Sequence, residues 1–357
     1  MIEYTVCGDS VRGISSDVSR ASISVEPALP AAHGPLSTAV SCALAGPPSV
    51  DHHLARIGAS VRDSDPYGLD LQLALCMCYE LHYQGFAGVD PSWEWDPDLL
   101  HLRAELERAF LARVRRDVGP IEPDRTSAAE MEAISVEPVD GTGPSYHLRN
   151  TGTWEQMREY FVHRSMYHLK EGDPHAWAIP RLTGGAKAAF VAIEFDEYGA
   201  GQRHRAHQQL FADLLVAADL DETYLAYLDA VPAQALAVVN LMSLFGLHRR
   251  LRGAAIGHFA ATEITSSPGS RRIAEALERM GAPTACVAFY REHVEADAVH
   301  EQVVRLDVVG DLVAHEPALD SDVIFGMRAL TVVEDRLADK MMTSWKQGES
   351  SLRQPLN

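Results

Sequence analysis

Three side chains within residues 289–306 (FYREHVEADAVHEQVVRL) could bind a metal ion together. His293, Asp297 and His300 are spaced i, i+4 and i+7, and on a helix this spacing brings side chains within about 60° of one another. Two imidazoles and one carboxylate in a narrow stripe suit a divalent transition metal such as iron. The alternative is a solvated helix face, because several glutamates surround the stripe.

Two further segments place carboxylates inside apolar helices. Glu197 ends an apolar run, and Gly199 and Gly201 follow it at once. Glu263 is the only acid in the apolar stretch 253–267. A buried carboxylate must be paired, protonated or bound to a metal. The two glycines also predict a kink or bulge after Glu197, and such irregularities often lie at functional sites.

Six side chains on these helices could project into one bundle interior. They comprise three carboxylates and three imidazoles, which is about what two iron ions require. The candidate ligands are Glu197, His207, Glu263, His293, Asp297 and His300. Their number and type do not decide between one metal and two.

The elements that must position these residues are helices. An apolar helix is predicted at 67–86, an amphipathic one at 93–119 and a short one near 127–134. From Thr153 onward the chain reads as almost wholly helical, with a separate short helix at 271–281 after Pro268. No alternating pattern predicts a sheet, so the fold class is all-α.

The predicted organisation has three parts. Residues 1–48 are rich in Ser, Ala, Pro and Gly and predict a flexible tail. Residues 49–150 predict N-terminal helices and a connecting segment that pack on the core. Residues 151–350 predict the core that carries the candidate site.

Charge and composition exclude several kinds of partner. The chain has 357 residues and a formal net charge of −19, which disfavours nucleic acid and anionic membranes. No apolar run of about 20 residues could span a bilayer, and residues 1–13 do not resemble a secretion signal. Five cysteines form no disulfide or zinc pattern. We therefore expect a cytoplasmic protein with reduced thiols.

The motifs carry a family resemblance. HLKEGDPHAWAIPRL (168–182) and AAFVAIEFDEYGAG (188–201) combine with the H-x3-D-x2-H spacing of residues 293–300. His207 lies ten residues after Glu197, and Glu263 lies thirty before His293. Over roughly residues 50–350 the chain resembles the haem-oxygenase-like di-iron oxidase superfamily, also described as iron-containing redox enzymes. The resemblance implies a haem-oxygenase-like helical bundle with extra N-terminal helices, two Fe(II) ions per chain and O2 as co-substrate.

The resemblance also implies ligand roles. One iron would take Glu197, His207 and Asp297 or a close permutation, and the other would take Glu263, His293 and His300. The family spacing favours His207, although on an unbroken helix His204 would share the face of Glu197.

One further carboxylate is a candidate ligand. Glu171 lies twenty-six residues before Glu197, and some relatives use a carboxylate near that position. The favoured alternative for Glu171 is a solvent-exposed acid at a helix C-terminus.

Members of this superfamily either N-oxygenate amines and guanidines of amino acids, or cleave C–C bonds and desaturate amino or fatty acids. An acidic and polar rim of Glu194, Asp196 and Tyr198 favours a cationic, amino-acid-like substrate and N-oxygenation. The alternative is oxidative C–C bond cleavage or desaturation of an amino or fatty acid. A different class would be a metal-free helical protein that binds a small molecule and uses the same acids as a buried polar network.

The oxidase interpretation requires an external electron donor, since no flavin or Fe–S motif is visible in the sequence. A homodimer is expected.

Overall fold

The computed structural model of the chain describes residues 26–48, 54, 57–138 and 141–356. Helices dominate these ranges and no β-strand occurs in them, so the prediction of an all-α protein is confirmed. The α-helices are α1 (Pro35–Leu44), α2 (Gly58–Asp63), α3 (Leu69–Glu80), α4 (Pro97–Val118), α5 (Ser127–Ser135), α6 (Pro144–Asn150), α7 (Trp154–His168), α8 (Asp173–Ala176), α9 (Gly184–Glu197), α10 (His207–Ala217), α11 (Ala233–Leu247), α12 (Arg252–Met280), α13 (Thr284–Val303), α14 (Asp311–His315) and α15 (Asp320–Lys346). Short 3-10 segments connect several of them, and a π-helical segment, Val304–Gly310, continues α13.

The long helix α12 lies at the centre of the bundle and packs against α13 and α15. Two glycines allow α12 and α15 to approach closely. A Cβ atom on Gly257 would collide with the backbone of Val323, and one on Gly326 would collide with the backbone of Ala254. The two helix backbones therefore touch directly. This contact fixes the position of α12 and of its candidate ligand, Glu263.

The break predicted at Pro268 does not occur, because α12 continues through it to Met280. Proline lacks an N–H group and so removes one hydrogen bond within the helix. Neighbouring helices compensate: α12 is packed on both sides, and the Ser267 hydroxyl donates to the carbonyl of Val294 in α13 at 3.3 Å. Tertiary packing therefore overrides a local helix-breaking signal.

The flexible tail predicted for residues 1–48 is wrong where the structure describes it. Residues 1–25 lie outside the described part, but α1 is packed on α3. Asp70 of α3 accepts hydrogen bonds from the backbone N–H groups of Leu36 at 3.0 Å and Ser37 at 2.7 Å. These bonds satisfy donors at the start of α1 that have no partner within the helix. The capping residue is distant in sequence, so local composition does not reveal it.

The predicted short helix near 127–134 is α5, whereas α6 was not anticipated in the connecting segment. Cys42, Cys76, Cys78 and Cys286 carry free thiols, and Cys7 lies outside the described residues. In the part of the chain that the structure describes, every helix is too short or too polar to cross a bilayer.

Candidate metal centre

The stripe on α13 faces the interior of the bundle. His293, Asp297 and His300 are each at most 4% exposed, where α13 packs against α10 and α12. The solvated-face alternative is therefore wrong. Three potential ligands along one buried helix face must meet side chains from other helices, because buried charges require partners.

The glycine-rich break after Glu197 separates α9 from α10. Gly199 and Ala200 adopt positive φ angles of 69° and 52°, and a side chain at Gly199 would collide with the backbone of Ala206. The turn brings the end of α9 to the start of α10, so that Glu197 Oε2 lies 2.7 Å from His207 Nδ1. His204 is exposed in the connection. Of the two histidines, only His207 joins the cluster.

Glu197 occupies the centre of the site. Its Oε2 atom faces His207, whereas its Oε1 atom lies 3.6 Å from His300 Nδ1. On the His300 side, Glu263 Oε2 is 3.2 Å from His300 Nδ1 and Asp297 Oδ1 is 3.8 Å from it. One ligand atom from each of these four residues lies within 4.8 Å of the others. We call Glu197, Glu263, Asp297 and His300 the inner group.

A second group lies on the other side of Glu197. Ligand atoms of Glu171, Glu197 and His207 lie within 4.8 Å of one another. His293 Nε2 is 3.5 Å from Glu171 Oε1, and the rings of His293 and His207 are 4.4 Å apart. We call Glu171, Glu197, His207 and His293 the outer group. The two groups share one carboxylate, whose oxygens point to different sides.

Two predictions from the sequence need correction here. Glu171 is 4% exposed and is not a solvent-facing acid; it lies beyond α7, next to Gly172, whose φ of 86° turns the chain inward. The predicted division of ligands also differs, because Asp297 lies in the inner group and His293 in the outer one. His293 Nε2 faces Glu171, whereas Asp297 converges with Glu197, Glu263 and His300, so these two side chains of α13 fall into different groups.

Hydrogen bonds outside the cluster orient two of the imidazoles. His293 Nδ1 lies 2.8 Å from the carbonyl of Phe289, to which it can only donate, and Nε2 is left facing Glu171. His300 Nε2 lies 3.3 Å from Asp196 Oδ2, so its Nδ1 atom faces Glu263. Such second partners fix the tautomer and orientation of metal-binding histidines. Asp196, which the sequence placed on a substrate rim, has this orienting position instead.

His168 was not predicted to be part of the site. Its Nδ1 atom is 2.9 Å from Glu171 Oε2, and His168, Glu171 and His293 form a third set of converging ligand atoms. Because His168 precedes Glu171 by three residues at the end of α7, it can hold this carboxylate or serve as a ligand itself. The i, i+3 spacing is the only sequence signal for it.

The electrostatics show an excess of negative charge at the cluster. Burial alone would lower the pKa of His293, but Glu171, Asp297 and Glu197 raise it to about 10. In the same way, Glu263 and its acidic neighbours overcome burial and raise the pKa of His300 to about 9. Burial, reinforced by nearby carboxylates, raises the pKa of Glu263 to about 8. The cluster therefore takes up protons when no cation is present.

Several buried atoms of the cluster have no hydrogen-bond partner. These atoms are Glu171 Oε2, His207 Nδ1, His293 Nε2 and Asp297 Oδ2. Some lie close to opposite charges, as His207 does to Glu197, but without hydrogen-bond geometry. An unsatisfied buried polar atom costs about 1–3 kcal/mol, and here such atoms converge from three segments of the chain. Carboxylate oxygens and imidazole nitrogens are ligands that suit iron, so the residues present at this site fit an iron ion.

A cavity of about 300 Å³ opens beside the outer group and is lined by Glu171, His168 and His293. Glu194, Asp196 and Tyr198 do not line it, so the predicted rim is wrong as a cavity wall. Tyr198 instead donates a hydrogen bond to Asp173 at 2.9 Å. A larger hollow of about 690 Å³ between α6 and α15 contacts none of the candidate ligands.

The fold and this cluster define an all-α protein with a buried carboxylate–histidine centre. Residues 158–334 match the model of the family described as iron-containing redox enzyme, and this region belongs to that family. The helical fold is consistent with the haem-oxygenase-like bundle. Every residue of the inner and outer groups lies inside the matched region.

A curated relative matches the same part of the protein. Nitrosourea synthase from Streptomyces achromogenes subsp. streptozoticus is 23% identical over 177 residues, which make up 49% of this chain and 38% of the relative. The match therefore spans well under half of the relative's length. It supports a redox enzyme of the same superfamily and does not transfer a substrate.

Proposed function

We propose that the protein is a non-haem di-iron oxidoreductase that uses O2 to oxidise a small amino-acid-like metabolite, by N-oxygenation of an amine. One observation carries the di-iron part of this proposal: the two oxygens of Glu197 point to different imidazoles, His207 and His300. N-oxygenation is proposed by analogy with the curated relative, whose name, nitrosourea synthase, denotes a product with a nitrogen–oxygen bond. A carboxylate in that position can bridge two metal ions. The family description supports iron as the metal.

The residues have distinct roles in this proposal. Glu263, Asp297 and His300 would hold one ion, and Glu171, His207 and His293 would hold the other, with Glu197 shared. When bound, two Fe(II) ions would supply electrons and open coordination positions for O2. The outer group borders the cavity, so the substrate would approach from the side of Glu171 and His293.

The overall reaction requires a partner that supplies electrons. In N-oxygenation, R–NH2 + O2 + 2e⁻ + 2H⁺ gives R–NHOH + H2O, so one oxygen atom forms the N–O bond and the other leaves as water. No flavin or Fe–S motif is visible in the sequence. We propose an external reductant for this reason, and the homodimer remains a prediction.

The test uses the full chain loaded with Fe(II) without oxygen. O2, a chemical reductant and candidate amino acids are then added one at a time, and products are analysed by mass spectrometry with ¹⁸O2. We expect one amino acid to gain a labelled oxygen on nitrogen. His293→Ala should abolish the product while the helical circular dichroism is retained. Labelled oxygen on carbon, loss of CO2 or an unlabelled product would contradict N-oxygenation.

A further inference from the structure

The cavity beside the outer group has two unlike ends. At the inner end, the side chains of Glu171 and His293 are each only 5% exposed. At the other end, Arg164 and Glu334 form a two-pronged ion pair at 2.6 and 2.8 Å, and their side chains are 22% and 29% exposed. The cavity lining thus includes a partly exposed ion pair, which we call the mouth, and two buried residues of the cluster.

The mouth contains one cation, the guanidinium of Arg164, and one anion, the carboxylate of Glu334. A ligand that carries a carboxylate can replace Glu334 on Arg164. An arginine fork binds a carboxylate through two parallel hydrogen bonds, and Glu334 already occupies that fork. The Nε atom of Arg164 is buried and has no hydrogen-bond partner. A ligand with both a carboxylate and an ammonium group could satisfy both residues. A simple amine or a fatty acid would pair with only one of the two residues and would leave the other without the counter-ion it has now.

Apolar side chains form much of the cavity wall, and several polar groups without hydrogen-bond partners lie among them. Tyr290 Oη and His258 Nε2 line the cavity, belong to residues at most 4% exposed and have no hydrogen-bond partner. The hydroxyl groups of Thr262 and Thr265 donate to carbonyls within α12, so only their acceptor lone pairs remain. An acyl chain would leave Tyr290 Oη and His258 Nε2 without a partner, whereas a nitrogen-bearing chain can form a hydrogen bond with either of them.

The size of the cavity also limits the ligand. Arg164 and His168, which both line the cavity, are one helical turn apart on α7, which corresponds to a rise of about 6 Å along the helix. The volume of about 300 Å³ lies at the lower end of the usual range for ligand sites. This volume fits a single amino acid rather than a peptide or a long lipid.

We propose that this cavity binds an α-amino acid as its zwitterion, with the carboxylate on Arg164, the ammonium group on Glu334 and a nitrogen-bearing side chain directed towards Glu171 and His293. The identity of the reacting end rests on the proposed function. The recognition of the head group does not, because Arg164 and Glu334 lie outside the inner and outer groups.

The experiment measures binding by isothermal titration calorimetry, on the full chain in its metal-free form and after anaerobic loading with Fe(II). The probes are L-lysine, L-ornithine and L-arginine, each paired with its decarboxylated amine: cadaverine, putrescine or agmatine. For L-lysine, 6-aminohexanoate serves as the counterpart without the α-ammonium group. We expect at least one amino acid to bind about tenfold or more tightly than its amine, the equivalent of one well-formed charged contact.

Single variants separate recognition from a merely structural ion pair. Arg164→Gln should weaken binding of the amino acid but leave binding of its amine nearly unchanged. Glu334→Gln should remove the preference for L-lysine over 6-aminohexanoate. The double variant, which leaves no unpaired charge, should lose both preferences and keep its iron content. Arg113→Gln, which breaks the surface pair with Asp117 on α4, is the matched control and should bind as the wild type does.

Three results would overturn the inference. They are no binding of any amino acid, equal affinity for amino acids and their amines, or unchanged preferences in the double variant. Iron content is measured in the same samples. Loss of iron uptake with an intact head-group preference would refute the proposed function alone, whereas normal iron uptake without a preference would refute this inference alone.

Discussion

Two buried polar clusters lie next to each other in this molecule, and they differ in how their charges are satisfied. In the first, which we call the structural cluster, Glu80 accepts a hydrogen bond from Lys170 Nζ at 2.8 Å and another from the hydroxyl of Tyr224. Both carboxylate oxygens therefore have partners. In the candidate metal centre, Glu171 directly follows Lys170, yet its Oε2 atom has only the imidazole of His168 at 2.9 Å, without hydrogen-bond geometry.

The two clusters differ in the source of their positive charge. The structural cluster contains its own cation, Lys170, at 2% exposure, so it is complete within the chain. The centre contains four carboxylates and no lysine or arginine, and its positive charge comes only from protons on histidines. A buried site with that deficit can be completed by a cation from outside the chain.

The largest effect should come from breaking the structural cluster. Glu80→Ala leaves the ammonium group of Lys170 buried without a counter-ion, which should lower the free energy of unfolding by about 3–5 kcal/mol. Urea denaturation of the metal-free protein measures this. Iron uptake by the folded variant should be unchanged. Arg113→Ala is the surface control and should cost about 0–1 kcal/mol. If Glu80→Ala lost its iron while remaining folded, the two clusters would not be independent.

A smaller effect is expected at the residue that orients His300. Asp196→Asn keeps the size of the side chain but weakens the hydrogen bond to His300 Nε2. Loss of such a second partner typically costs about 10–100-fold in metal affinity. Competition with a metal-sensitive dye measures the affinity, and Asp213→Asn on α10, outside the cluster, is the control. Wild-type affinity in Asp196→Asn would show that this contact does not support the centre.

Metal affinity should also depend on pH. His293 and His300 have pKa values raised to about 10 and 9 in the metal-free protein, so at neutral pH both carry protons that a metal must displace. Affinity should therefore rise with pH, by about tenfold per pH unit for each proton released. Titrations between about pH 6 and 8 in buffers of different ionisation enthalpy count these protons. An affinity that stays flat over this range would contradict the protonated state of the histidines.

The smallest effect is expected at His204. This residue is exposed, so His204→Ala should change stability by no more than about 0.5 kcal/mol and leave iron content unchanged. His207→Ala, three residues further on, should lose the iron of the outer group. If the two variants had the same iron content, the turn at Gly199 would not be what selects His207 over His204.

The sequence predicted those parts of the site that depend on a single helix. The stripe of His293, Asp297 and His300 follows from helical periodicity alone, and the glycines after Glu197 indicated the change of direction that admits His207. Glu171 could not be judged correctly, because it follows the end of α7, where helical phase no longer fixes its direction.

Other features depend on packing between distant segments. The division of ligands into inner and outer groups depends on how α9, α12 and α13 meet, and no single segment records that. The burial of α1 depends on Asp70, more than thirty residues away. The continuity of α12 through Pro268 likewise depends on its neighbours. These are the contacts that periodicity and composition cannot supply.

The most direct test of the central claim is an anaerobic Fe(II) titration of the full chain and of Glu197→Ala. The wild type should take up about two Fe(II) per chain, the number that two ligand groups with a shared carboxylate can hold. Glu197→Ala should stay helical by circular dichroism and bind fewer than about one, since both groups use Glu197. A wild type that binds no iron, or a Glu197→Ala variant that still binds two, would contradict a carboxylate-bridged di-iron centre.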